Sequence, residues 1–92
     1  MGKIHLTDAA VGRYRRPLKG RIEVSDTEPG LFLWITPNGT KSWVVTYRLS
    51  DAGGKRSIRR KMVIGRHPAT GVAEARRIAG ETMQLAAQGV DP

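Results

Sequence analysis

Alternation between apolar and polar side chains over residues 21–64 constrains the fold more than any other feature of this chain. Successive side chains of a β-strand point to opposite faces, so alternation indicates strands that bury one face. Turn-forming residues divide the region, and Asn38-Gly39 is a strong signal for a tight turn. We therefore expect antiparallel strands at about 21–26, 31–36, 41–49 and 55–64.

A helical period follows the expected strands. From about residue 71 to residue 88 apolar side chains recur at helical spacing, and Gly89 suits the position just past a helix C-terminus. Near the start of the chain, Thr7 can cap a short helix over about residues 7–13. The sequence therefore predicts a single α+β domain over residues 1–92. In it a three- to four-stranded antiparallel sheet packs on a C-terminal helix, and a short N-terminal helix precedes the sheet.

Side chains at every second position of a strand share one face of the sheet, and this strand parity sorts the expected sheet into two faces. One face is apolar and suits cover by the C-terminal helix; it holds Leu31, Leu33, Ile35, Trp43, Val45, Tyr47, Leu49, Ile58, Met62 and Ile64. The opposite face holds Phe32, Trp34, Ser42, Val44, Thr46, Arg48, Arg59, Lys61 and Val63. We expect the second face to be exposed to solvent and Trp43 and Tyr47 to belong to the core.

The positive charge of the chain is concentrated in one stretch of sequence. Sixteen Lys and Arg oppose eight Asp and Glu, which gives a formal net charge of +8. Residues 41–66 contain Asp51 as their one acidic residue, and their basic residues are Lys41, Arg48, Lys55, Arg56, Arg59, Arg60, Lys61 and Arg66. A clustered excess of this kind indicates a surface that binds a polyanion, and nucleic acid is the leading class.

The composition gives little support to other functional classes. The chain has no cysteine, which excludes disulfides, thiolate metal ligands and a cysteine nucleophile. His5 and His67 lack partner ligands at metal spacing, so neither a metal nor another cofactor is expected. The apolar stretches are too short to span a bilayer, and the N-terminus lacks the apolar segment of a secretory signal. We therefore expect a cytoplasmic protein without a membrane or small-molecule partner.

The outward face supplies the candidate binding residues. A twisted two-stranded ribbon fits the major groove of duplex DNA, where Arg and Lys reach guanine edges or phosphates and Thr reaches base edges. The candidate DNA contacts on the strands and their flanking turns are Trp34, Lys41, Thr46, Arg48, Lys55, Arg56, Arg59 and Lys61. A simpler interpretation treats the cations as ordinary solvated residues and Trp34 as a cover for its neighbours. Arg76 and Arg77 are interpreted as a solvated helix edge.

Two other functions are compatible with the same residues. A small basic sheet with one helix also suits RNA. Recognition of single strands usually needs two or three exposed aromatic side chains, and here Phe32 and Trp34 are the candidates. The second alternative is a protein-interaction domain whose positive charge is incidental, and it predicts no salt-dependent binding to nucleic acid.

Several short segments occur in an order that resembles a known family. They are Leu6-Thr7, residues 26–31, residues 37–43, Gly65-Arg66-His67-Pro68, Glu74-Ala75-Arg76 and Gly89-Val90-Asp91-Pro92. This ordered set covers almost the whole chain and resembles the N-terminal arm-type DNA-binding domain of tyrosine recombinases, the integrases of temperate phages and genomic islands. The last segment resembles the family's junction with a core-binding domain, which is absent here.

The resemblance implies sequence-specific binding of duplex DNA at arm-type sites during integration and excision. It implies an antiparallel sheet that presents its outward strand positions to the major groove, with Lys41 as a flanking phosphate contact. Trp34 departs from the family, where a basic or polar residue is common, and Gly71 stands where a serine cap is common.

The resemblance also bears on activity and assembly. In the family the catalytic tyrosine and its Arg, His and Lys partners lie in a distant domain, so this fragment is not expected to be an enzyme. The parent protein is expected to be a tyrosine recombinase that assembles with other integrase protomers on double-stranded DNA.

Overall fold

The structure, a computed structural model, describes residues 3–50 and 57–90. Over these residues the elements are α1 (Asp8–Arg13), β1 (Ile22–Ser25), β2 (Leu31–Ile35), β3 (Lys41–Ser50), β4 (Ser57–His67) and α2 (Val72–Ala87). The strands form one antiparallel sheet in the order β1-β2-β3-β4. The predicted α+β fold, with an antiparallel sheet, a C-terminal helix and a short N-terminal helix, is confirmed.

The apolar face of the sheet packs against α2, as parity predicts, but Ile58, which was expected on this covered face, is 55% exposed. Trp43 is fully buried, Tyr47 is 5% exposed, and both belong to the core. The core also holds Leu6, Val11, Val24, Leu31, Leu33, Ile35, Val45, Val72, Ala75, Ala79 and Ala86. Burial of a large side chain stabilises a fold by roughly 1.5–3 kcal/mol. The indole Nε1 of Trp43 donates a hydrogen bond to the carbonyl oxygen of Thr70 at 2.8 Å. The one polar group of this buried ring therefore has a hydrogen-bond partner.

The N-terminus of α2 is capped by a residue from α1. Gly71 occupies the N-cap position and has no side chain to offer. Oδ1 of Asp8 instead accepts a hydrogen bond from the Val72 N–H at 2.9 Å. The Nε2 of His67 lies 3.4 Å from the same carboxylate oxygen. A carboxylate at a helix N-terminus satisfies a free N–H and favours the positive end of the helix dipole. This contact holds the two helices together.

A buried ion pair joins the N-terminal segment, the end of β1 and α2. Asp26 is fully buried and accepts hydrogen bonds from the Leu6 N–H at 2.9 Å and the Glu28 N–H at 3.0 Å. Arg76 donates to both of its carboxylate oxygens at 3.0 Å and to the Leu6 carbonyl at 2.8 Å. The expectation of a solvated Arg76 is therefore wrong, whereas Arg77 is exposed and pairs with glutamates of its own helix.

Burial and hydrogen bonding act in opposite directions on the Asp26 carboxyl. Burial raises its pKa, but the hydrogen bonds from Arg76, Leu6 and Glu28 and the charge of Arg76 outweigh burial and lower the pKa to about 2. The same pairing raises the pKa of Arg76. The pair is therefore charged at neutral pH, and its partners satisfy the buried carboxylate.

β4 extends beyond the predicted end at residue 64 because it contains a β-bulge. Val44 of β3 pairs with Val63, but the next residue, Trp43, pairs with Gly65, so Ile64 is the extra residue. A Cβ atom at Gly65 would overlap with Oγ1 of Thr70. Glycine is therefore required where the bulged strand approaches the turn that leads to α2. After the bulge, side chains of β4 have changed face.

Candidate nucleic-acid interface

We call the face of the sheet opposite α2 the outer face. On this face, directly opposed residues of neighbouring strands form rows that run across the sheet. Directly opposed residues of antiparallel strands point to the same side of the sheet, so the pairing fixes its membership. Over the described residues, the strand positions on this face are Glu23, Ser25, Phe32, Trp34, Ser42, Val44, Thr46, Arg48, Ser57, Arg59, Lys61, Val63 and Arg66. These rows hold most of the candidates that the sequence predicts.

Four of the predicted contacts lie together on a two-stranded part of the sheet. β2 ends its pairing with β3 at Val45, and beyond that point β3 and β4 continue as a ribbon of two strands. On its outer side Thr46 opposes Lys61 and Arg48 opposes Arg59. All four line a single cleft of about 490 Å³. The structure therefore brings these residues together, as parity predicts.

The cations of this ribbon form no ion pair within the described residues. Glu23 lines the same cleft as Arg48, Arg59 and Lys61, but none of these three cations lies within ion-pair distance of a described carboxylate. Like charges directly opposed across a strand pair, such as Arg48 and Arg59, destabilise a sheet. Such clustering of positive charge on one face is the arrangement expected of a polyanion-binding surface.

Two further cations on the outer face were missed by the sequence analysis. Strict alternation assigns Arg66 to the core side of β4, but the bulge turns it outward, opposite Ser42. Arg21, just before β1, places its guanidinium carbon 3.7 Å from the centroid of the Trp34 ring. The signals for these residues were weak: a glycine inside a strand often marks a bulge, and Arg21 continues the alternation of β1.

Trp34 lies under cations rather than open to solvent. Besides Arg21, the Nζ of Lys61 lies 5.4 Å from the ring centroid, within the range of a cation–π contact. The ring is half-buried, and its Nε1 is a buried donor without a hydrogen-bond partner among the described residues. Trp34 therefore covers its neighbours and positions Arg21 and Lys61 on the outer face.

A short apolar band crosses the centre of the outer face. Phe32, Val44 and Val63 share one cross-strand row. Val44 is only 1% exposed, so the expectation that it is exposed to solvent is wrong; this small side chain lies in the central strands, directly opposite the larger Phe32. Val63, on the edge strand, is 58% exposed. The exposed end of the band is thus a valine on the same strand as Arg59 and Lys61.

The remaining predicted contacts are not brought into this group. Lys41 pairs with Ile35, a core residue, and its Nζ donates to the Gly12 carbonyl of α1 at 3.3 Å. It therefore lies on the side of the sheet that carries the helices. Lys55 and Arg56 fall outside the described residues.

The acidic side chains of the helix side are engaged in pairs. Arg77 binds Glu74 and, at 2.6 Å, Glu81 on the exposed face of α2. The hydrogen bond from Arg77 lowers the pKa of Glu74, and the same contact raises the pKa of Arg77. The described residues contain no cluster of three metal-ligating side chains. None of the described helices is long and apolar enough to cross a membrane.

Comparison with known proteins identifies the family of this chain. The sequence model of the family described as "Arm DNA-binding domain" matches residues 6–92. The chain is also similar to the prophage integrase IntZ of Escherichia coli (strain K12), with 36% identity over 92 residues. That match covers 100% of this chain and 21% of the integrase. Because the family match extends over nearly the whole sequence, the chain belongs to the family of arm DNA-binding domains.

Proposed function

We propose that the outer face binds duplex DNA sequence-specifically, at arm-type sites, as the N-terminal domain of an integrase that takes part in phage or genomic-island integration and excision. The proposal rests on one observation: Thr46 opposes Lys61, and Arg48 opposes Arg59, on one side of the β3–β4 ribbon. Membership of the arm DNA-binding family supports DNA as the partner.

The dimensions of the ribbon suit the major groove. Neighbouring strands lie about 4.8 Å apart, so a two-stranded ribbon with its side chains enters a groove about 12 Å wide. The four side chains of the ribbon then face base edges, where Arg, Lys and Thr have hydrogen-bonding partners. Arg21 and Arg66 lie toward the other end of the face and suit the phosphates that border the groove.

The wider role is inferred from the similar integrase. The chain spans about a fifth of that relative, so cleavage and rejoining of strands are assigned to other parts of a parent protein. We infer that this parent is a cytoplasmic tyrosine recombinase and that its protomers assemble on DNA. The arm-binding domain contributes binding and no catalytic group.

Recognition of single-stranded RNA receives less support. Such recognition depends on exposed aromatic rings on which bases stack. Trp34 is covered by the guanidinium of Arg21 and approached by Lys61, and Phe32 is half-buried. The outer face therefore offers cations and short side chains more readily than stacking platforms.

A titration of one sequence in different forms tests the proposed partner. Duplex DNA, duplex RNA and the separated strands are labelled and their affinities measured by fluorescence anisotropy. We expect duplex DNA to bind most tightly. Arg48→Ala and Lys61→Ala should each weaken duplex binding by about 1–3 kcal/mol without unfolding the domain. Arg77→Ala is the matched control, because it removes the same charge from the helix side.

Three results would count against the proposal. Preference for RNA or for single strands would contradict duplex DNA as the partner. Equal losses for Arg77→Ala and Arg48→Ala would show that net charge, and not the outer face, governs binding. Sequence specificity is tested separately by selection from random duplexes of about 20 base pairs, two helical turns; failure to enrich any sequence would leave only non-specific binding.

A further inference from the structure

An exposed valine stands among the cations of the outer face. Val63 is 58% exposed, and two residues before it on the same strand and face lies Lys61. Arg66 returns to this face just beyond the bulge. Other apolar side chains of the described residues are also exposed, such as Ile58 at 55%, but Val63 is the one that shares the outer face with Lys61 and Arg66.

The local structure holds Val63 in place. Its cross-strand partner Val44 is 1% exposed and lies beside Phe32 in the same row. Val63 thus stands opposite a buried valine at the end of an apolar row. The side chain of valine has one rotatable bond, so little conformational freedom is lost when it makes a contact.

The major groove offers one apolar group, the C5-methyl of thymine. The flanking cations attract DNA to this face, so the groove rather than a protein surface is the occupant that matches the charge. We propose that Val63 reads thymine, by packing its methyl groups against a C5-methyl in the major groove. This inference rests on the proposed function and assigns Val63 as a specificity-determining residue of the same face.

The test removes the thymine methyl without changing any hydrogen bond of the base pair. A duplex enriched from the random pool is made with thymine and again with deoxyuridine at each thymine position in turn. The wild-type chain should bind the thymine form about fourfold more tightly at the contacted position, the fold-change expected for burial of one methyl group.

Two serine variants locate the effect. Val63→Ser removes both methyl groups that could contact a thymine C5-methyl, and it should abolish the preference for thymine over deoxyuridine. Ile58→Ser is the matched control: Ile58 is 55% exposed on the same strand but on the opposite face. This variant should keep the preference.

The outcomes separate the inference from the function on which it rests. Equal binding of thymine and deoxyuridine forms by the wild type, or a preference that survives in Val63→Ser, would overturn the reading of thymine while leaving duplex binding intact. A pool from which no duplex is enriched would refute sequence-specific binding and this inference together.

Discussion

Acidification should weaken this fold through one buried carboxylate. The pKa of Asp26 falls from 3.8 to about 2 in the folded chain, because hydrogen bonds from Arg76, Leu6 and Glu28 outweigh the opposing effect of burial. A carboxyl group whose pKa is lower in the folded state stabilises the fold above its unfolded pKa, and this contribution is lost as the pH falls through the folded value. At 1.36 kcal/mol per pKa unit, the contribution is about 2 kcal/mol at neutral pH.

The assay is urea unfolding of the wild type and of Asp26→Asn at a series of pH values. The variant leaves Arg76 without its counter-charge, which should lower the free energy of unfolding by about 3 kcal/mol at neutral pH. That difference should shrink by about 2 kcal/mol between about pH 5 and pH 2, because the wild type loses its charged pair there. Glu81→Gln makes the same change of charge at an exposed helix position and serves as the control.

A second measurement keeps the test decisive if Asp26→Asn does not fold. The side-chain carboxyl carbon of Asp26 is followed by NMR during acid titration of the wild type, and its midpoint should lie near pH 2. A midpoint near the ordinary value of 3.8, or a stability difference that does not change with pH, would refute the role assigned to this pair.

Salt dependence, core packing and helix capping give three further tests. Five outer cations imply a slope of log affinity against log salt of about −4 to −5 for duplex DNA, and a slope near zero would contradict DNA binding. Trp43→Ala should lower the free energy of unfolding in urea by about 3–5 kcal/mol, and a loss below about 1 kcal/mol would exclude this core role. Asp8→Ala should cost about 1 kcal/mol in the same assay, while Asp8→Asn keeps most of the stability because its amide oxygen can also cap α2; equal losses would contradict the cap.

Strand parity predicted the two faces of the sheet correctly up to Val63, because the period of two is a local property of each strand. Thr46, Arg48, Arg59 and Lys61 were placed on one surface for this reason alone. The burial of Val44 was not predicted, since alternation gives the direction of a side chain and not the size of the neighbours that cover it. That Phe32 stands directly opposite Val44 depends on the register between strands.

The errors about single arginines have different physical causes. Arg66 was not assigned to a face because the fourth strand was expected to end at residue 64, and the bulge that turns Arg66 outward had Gly65 as its sole local sign. Arg76 was taken as solvated because its partner, Asp26, lies 50 positions away in the sequence. Periodicity carries no information about such a contact, and a lone arginine on an amphipathic helix usually faces water.

The charges that stabilise the fold and those proposed to bind DNA lie on opposite sides of the sheet. Asp8, Asp26, Glu74 and Glu81 interact with groups of the helices, whereas Glu23 is the acidic residue that the described strands place on the outer face. Loss of a carboxylate on the helix side therefore costs stability but removes no cation from the outer face. A variant such as Asp8→Asn that remains folded should bind duplex DNA as the wild type does. If it bound much more weakly, the helix side would take part in binding and the separation of the two charge sets would be wrong.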